Sequence, residues 1–163
     1  MGNSCVFSCW SNNRVAVIDK NINTDTWTLK TNTFNIEKYN PMVLGNGISG
    51  KAFKLDINNH IVTCKRIGKK HFDTALEEIK ILREIGDHKY LPVFFKAIQT
   101  EKHLYIMYEY LDGIDLLQMI QNPTYDIRSN ENISIIIKEI TLGLYSLFKY
   151  NYVHLDLKFE NII

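Results

Sequence analysis

Three stretches of the chain concentrate residues able to do chemistry. The first is Gly45-Asn46-Gly47-Ile48-Ser49-Gly50. Glycines at that spacing remove side chains where a backbone must approach something closely, and successive N–H groups can cradle the oxygens of a phosphate chain. A glycine-rich turn without any ligand has the same composition. The second is a pair, Lys65 in an extended run and Glu78 in a helical one. The third is His154-Leu155-Asp156-Leu157-Lys158-Phe159-Glu160-Asn161. There Asp156 could accept a proton from a hydroxyl nucleophile, Lys158 could neutralise a transferring phosphoryl group, and Asn161 offers a neutral oxygen to magnesium. Leu157 and Phe159 are expected to anchor this stretch into a core. Read alone, it is also an ordinary polar loop after a helix.

The elements that must position these residues follow from periodicity. Ala52–Ile57 alternates apolar and polar residues, Asn58-Asn59 is a two-residue turn because Asn tolerates positive φ, and Ile61–Ile67 is the return strand. Gly45 through Lys51 also has P-loop spacing, but Ala52 stands where a hydroxyl must hold magnesium, and a strand follows where a helix is required. The dinucleotide-binding fingerprint fails for the same reason. On the return strand Lys65 shares a face with Thr63, opposite Val62 and Cys64. The next helix is expected to start at a capping box of Thr74 and Glu77 and to end at Gly86. Its apolar stripe is Ala75, Ile79, Leu82 and Ile85, and Glu78 lies within that stripe. A carboxylate facing a core needs a cation, and Lys65 is the nearest in sequence; at the stripe's edge, Glu78 would reach solvent instead.

Val93–Ile98 and Leu104–Glu109 read as strands, Leu116–Ile120 as a short helix and Asn132–Tyr150 as a long one. The long helix carries Ile133, Ile136, Ile137, Ile140, Leu144, Leu147 and Phe148 at helical spacing, widened by Ile135, Leu142 and Tyr145. It is expected to need cover on most of its surface, by self-association or by a partner over Ile136, Ile140, Leu144 and Phe148. Residues 1–36 form an N-terminal extension in which Val15–Ile18 and Trp27–Thr31 are strand-like. The order of hairpin, helix, two strands, then helices implies an α+β fold with the sheet segregated from a helical part.

Composition narrows the function classes. With 163 residues the chain amounts to one domain, or one and a fraction. Its 45% hydrophobic content excludes wholesale disorder, and a net charge of +1 removes the electrostatic case for nucleic acid as a partner. No apolar run reaches the length of a membrane span, and the N-terminus lacks the basic start and long apolar core of a signal peptide. Cys5, Cys9 and Cys64 are too few and too scattered for a disulfide framework or a zinc site, so an intracellular, cytoplasmic setting is expected. Met1-Gly2-Asn3-Ser4-Cys5-Val6 begins like a myristoylation signal, with Val6 where Ser or Thr is preferred. Membrane contact is expected only if Gly2 or Cys5 is acylated.

From Tyr39 to Ile163 these motifs, in this order, resemble a eukaryotic-type protein kinase domain. Gly45-Asn46-Gly47-Ile48-Ser49-Gly50 matches the glycine-rich loop, and Val62-Thr63-Cys64-Lys65 resembles Val-Ala-Ile-Lys. The resemblance implies that Lys65 meets the α/β-phosphates of ATP, that Glu78 pairs with it, and that Leu104–Leu111 is the strand and hinge holding adenine through Glu109 and Leu111. It puts Tyr108 at the gatekeeper position, Ala52 against adenine in place of valine, and Asp115 near the ribose. His154–Asn161 resembles His-Arg-Asp-Leu-Lys-Pro-Glu-Asn, implying Asp156 as catalytic base, Lys158 beside it and Asn161 as a Mg2+ ligand. Lysine two residues after the aspartate is typical of Ser/Thr kinases. Leu155 replaces the arginine that contacts a phosphorylated activation loop, and Phe159 replaces proline. The implied fold is a kinase-like N-terminal lobe, an antiparallel sheet plus one helix, over 37–111, and an incomplete helical C-terminal lobe over 112–163. No Asp-Phe-Gly occurs within the 163 residues. The implied activity is phosphoryl transfer to Ser/Thr of a protein substrate; the alternative is a truncated kinase-like protein that binds nucleotide or a regulatory protein partner.

Overall fold

The computed structural model describes residues 28–31, 33–47 and 50–163. Strand-like Val15–Ile18, the glycine-loop residues Ile48 and Ser49, and the N-terminal acylation motif lie outside them. The described chain forms two compact units, one of 28–87 with 92–110, the other of 88–91 with 111–163.

The first unit is a six-stranded sheet with one helix. Its strands are β1 (Thr28–Lys30), β2 (Met42–Asn46), β3 (Gly50–Ile57), β4 (His60–Gly68), β5 (Phe94–Gln99) and β6 (His103–Glu109), in the order β1-β5-β6-β4-β3-β2. Neighbours are antiparallel except β1 with β5, a parallel edge pair. The β3–β4 hairpin turns at Asn58 and Asn59, with φ of 54° and 66°, the left-handed conformation expected of the Asn-Asn pair. Residues expected to form an N-terminal extension enter this unit: β1 lengthens the sheet, and Ile36, with Phe34 and Tyr39 beside it, packs on the sheet face made by Phe53, Leu55, Val62, Cys64 and Tyr105.

The opposite face is covered by α1 (Phe72–Ile85), whose Ala75 and Ile79 pack with Ile67, Ala97, Leu104, Ile106 and Tyr108. Ile79, Leu104 and Ile106 are fully buried, and each such side chain contributes on the order of 2 kcal/mol. Thr74 and Glu77 do not form the expected capping box. A 3-10 turn at Lys69–His71 feeds the helix earlier, so Thr74 is already inside its first turn, and the N-cap His71 makes no side-chain cap bond. Gly86 ends the helix as expected, with φ 71° and its N–H donating to the Leu82 carbonyl at 2.9 Å.

The second unit is helical, with α2 (Leu116–Gln121) and α3 (Asn130–Lys149). α3 starts two residues before the expected Asn132, because the Ser129 hydroxyl caps the Asn132 N–H at 3.2 Å. Leu116, Met119, Ile127 and Ile136 form its core, with Ile114, Ile120, Ile140 and Ile162 against them. Ile136 and Ile140 therefore find cover within the chain, contrary to expectation, whereas Ile137, Leu144, Tyr145 and Phe148 are exposed. Lys89 reaches α3 through a 2.9 Å ion pair with Glu139. Among the described residues no helix is long and apolar enough to cross a membrane.

Candidate functional site

The three glycines of the loop between β2 and β3 have different reasons to be there. Gly47 and Gly50 exchange backbone bonds, Gly47 N–H to Gly50 O at 2.8 Å and Gly50 N–H to Gly47 O at 3.3 Å. A Cβ on Gly50 would sit 2.1 Å from the Arg66 carbonyl oxygen, so the close approach of β4 excludes every other residue. At Gly47 a Cβ would meet only the Gly50 carbonyl at an ordinary 3.7 Å, and at Gly45 nothing within 4 Å among the described residues. The fold explains the third glycine; among the described residues nothing crowds the first two, of which Gly45 follows a register shift between β2 and β3. Asn46 ends β2 at the mouth of this loop and is exposed.

Lys65 and Ala52 are directly opposed in the β3–β4 register, and Lys65 lies on the sheet face that carries α1. The ammonium of Lys65 meets Glu78 Oε2 at 2.8 Å, as the placement of Glu78 in the apolar stripe of α1 led one to expect. Both side chains keep about a third of their surface exposed, 30% and 38%, so the pair is reachable from solvent while its backbone supports are buried. The second carboxylate oxygen is also engaged: the Tyr108 hydroxyl donates to Glu78 Oε1 at 2.6 Å. Burial, reinforced by the negative charge of Glu78, holds the Tyr108 phenol well above its ordinary 10.0, so it remains a donor. That hydroxyl contact was not foreseen; the signal was there in Tyr108 sharing the period-2 face of Leu104 and Ile106. At the end of β6, Glu109 is tied to Val93 twice: its N–H donates to the Val93 carbonyl at 2.9 Å, and its Oε2 accepts the Val93 N–H at 3.3 Å.

In the helical unit the Leu111 carbonyl accepts the Gly113 N–H at 3.1 Å, while the Leu111 N–H meets no acceptor among the described residues. Asp115 is the N-cap of α2. Its Oδ1 accepts the Gln118 N–H and its Oδ2 accepts the Gln118 side-chain amide, both at 2.8 Å. Any ribose hydroxyl at Asp115 would share an oxygen with Gln118.

Asp156, Lys158 and Asn161 come together in one exposed loop. Lys158 Nζ lies 3.1 Å from Asp156 Oδ2. The Asn161 side-chain amide donates to both the Asp156 carbonyl, at 2.8 Å, and Oδ2, at 3.1 Å. His154 Nδ1 accepts the Asp156 N–H at 3.3 Å. The Lys158 hydrogen bond, then that of Asn161, holds the Asp156 carboxyl below its ordinary 3.8, so the group is an anion at neutral pH. With its nitrogen engaged, Asn161 has its amide oxygen left to offer, and a hard neutral oxygen beside a carboxylate suits magnesium. Leu157 and Phe159 do not anchor the loop; both are about half exposed, and Leu155 is 92% exposed. The hydrogen bonds described for Asp156 come from the loop's own polar groups, while its closing turn, Phe159–Asn161, lies against α2.

Five antiparallel strands with one helix against them, followed by a partial helical region, define an α+β fold of the protein-kinase type. The family model for the protein kinase domain matches residues 40–163, and the chain belongs to that family. Among its relatives, CDPK-related kinase 3 of Arabidopsis thaliana is 30% identical over 125 residues, covering 73% of this chain and 21% of that protein. Testis-specific serine/threonine-protein kinase 4 of Homo sapiens is 29% identical over 128 residues, 74% of this chain and 38% of the relative. Serine/threonine-protein kinase Nek5 of Mus musculus is 29% identical over 123 residues, 74% and 20% respectively. The chain thus spans well under half the length of these relatives.

Proposed function

We propose that the chain is the nucleotide-holding part of a Ser/Thr-type protein kinase that uses ATP and Mg2+ to phosphorylate a protein substrate inside the cell. The observation that carries the reading is the Lys65–Glu78 ion pair at 2.8 Å, on the β-strand that pairs with the strand after the glycine loop. Gly45, Asn46 and Gly47, with Ile48, Ser49 and Gly50 completing the loop, would offer backbone N–H groups to phosphate. Lys65, held by Glu78, would supply the positive charge that meets the α/β-phosphates. By resemblance to the family, Ala52 would lie under the base, Glu109 and the N–H of Leu111 would fix its edge, and Asp115 would serve the ribose. In the loop, Asp156 would take the proton of the acceptor hydroxyl and Lys158 would offset charge on the transferred group. Asn161 would ligate Mg2+, whose contribution is to neutralise charge on the phosphate oxygens.

A second reading, nucleotide binding without efficient transfer, is favoured by the loop itself. Asp156 is exposed and its contacts come from within 154–161. Calorimetric titration of ATP into the 163-residue chain tests the shared part of both readings. Saturable binding that weakens at least tenfold in Lys65→Met supports them; equal heats for both proteins would remove the nucleotide site. Transfer of labelled phosphate to a protein substrate, lost on Asp156→Asn, separates the enzyme from the binder.

A further inference from the structure

We infer that Tyr108 is a positioning residue for Lys65: its hydroxyl holds the Glu78 carboxylate so that the other oxygen faces the lysine. This rests on the proposed role of Lys65 toward phosphate. The three groups come from three elements. In the β4–β6 register Thr63 opposes Tyr108 and Lys65 opposes Ile106, so Lys65 and Tyr108 are diagonal neighbours on the face beneath α1. Glu78 descends between them from α1 and divides its two oxygens, Oε2 to the ammonium at 2.8 Å and Oε1 to the phenol at 2.6 Å.

The two bonds are not equivalent. The Lys65 ammonium is the group that an incoming phosphate competes for. The Tyr108 hydroxyl is neutral and phosphate does not compete for it. Its ring is 6% exposed and packed with Ile79, Ala75 and Ile106, so the donor has little freedom to leave. A hydroxyl donating to a carboxylate at this distance is a strong, charge-assisted bond. Glu78 is therefore fixed from behind by a rigid buried donor, and the lysine can shift toward phosphate without releasing the helix from the sheet.

Tyr108→Phe removes the hydroxyl and keeps the ring. Titrations of ATP and of adenosine into the 163-residue chain give the first readout. ATP affinity is expected to fall about tenfold, the loss of one hydrogen bond to a charged group, with adenosine affinity unchanged because adenosine has no phosphate. Unchanged affinity for both, or equal weakening of both, would overturn the inference in favour of simple packing. Amide hydrogen exchange of α1 without nucleotide is the second readout. Tyr108→Phe is expected to raise exchange across α1 about tenfold relative to β4 and β6, while Lys65→Met leaves α1 protected. If wild-type protein binds no ATP, the proposed function fails, and this second comparison alone decides: α1 equally protected in Tyr108→Phe and wild type would overturn the role of Tyr108.

Discussion

Lys65, Glu78 and Tyr108 are drawn from β4, α1 and β6, and each stands on a backbone whose neighbours are buried: Cys64 and Ile79 at 0% exposure, Met107 at 3%. Asp156, Lys158 and Asn161 lie within six residues of one loop, and the side chains flanking them, Leu155, Leu157 and Phe159, are exposed. The first constellation inherits its geometry from a core; the second makes its own from three short polar contacts. A polar group on a packed sheet moves only when the sheet does. A polar group in a self-bonded surface loop keeps its geometry only while its own charges persist. The two regions should therefore respond to different perturbations.

Truncation of the core under α1 should have the largest effect. Ile79→Ala is expected to cost about 3–4 kcal/mol in denaturant unfolding followed by a probe in the sheet. Phe148→Ala, at a side chain 68% exposed, should change stability by no more than about 0.5 kcal/mol. Equal losses at the two positions would abolish the contrast between the packed sheet and the uncovered face of α3.

Gly50→Ala comes next. It drives a methyl group into the Arg66 carbonyl and should cost about 2 kcal/mol in thermal unfolding, whereas Gly45→Ala should be close to neutral for stability. If Gly45→Ala also weakens ATP binding, the two glycines separate cleanly into a packing role and a ligand role. A Gly50→Ala protein as stable as wild type would show that β3 and β4 can part without cost.

Cys64 reports on the sheet by its silence. Burial pushes its thiol up to about 12, against the lowering pull of Arg66, so at pH 7 it is protonated as well as enclosed. In a Cys5→Ser, Cys9→Ser background, a thiol reagent should label Cys64 at least about a hundredfold more slowly than in denaturant. Rapid labelling would mean that the sheet opens readily.

The smallest effect concerns the loop. The carboxyl of Asp156 is depressed in the folded loop, so its bonds to Lys158 and Asn161 are fully present above the ordinary 3.8 and are lost as pH falls through the lower folded value. A carbon-13 titration of the Asp156 carboxyl should show a midpoint below 3.8 that rises in Lys158→Met. A midpoint unmoved by that substitution would place the cause elsewhere.

Much of this fold is legible in local sequence. The alternation in Ala52–Ile57, the Asn58-Asn59 turn and the terminal Gly86 each act over a few residues, and each is found where expected. Glu78 was legible because a carboxylate in an apolar stripe demands a cation. What was not legible depends on pairing across long separations. The parallel partner of β1 is β5, some seventy residues later, and no local pattern names it. The Tyr108–Glu78 bond needs the β4–β6 register, which fixes the diagonal to Lys65. The cover over Ile136 comes from Leu116 and Met119 on another helix, invisible to the stripe itself. α1 starts ahead of the capping-box spacing of Thr74 and Glu77 because the backbone already turns helical at Lys69–His71.

The central claim is that the sheet unit carries a nucleotide at its glycine loop, at Lys65 and at the end of β6. Amide hydrogen exchange of the 163-residue chain with and without ATP tests it most directly. Slowed exchange confined to Gly45–Gly50, to β4 around Lys65 and to Glu109–Leu111, with α3 unchanged, is the expected result. No slowing in these three segments at saturating ATP, or slowing greatest in α3, would contradict it.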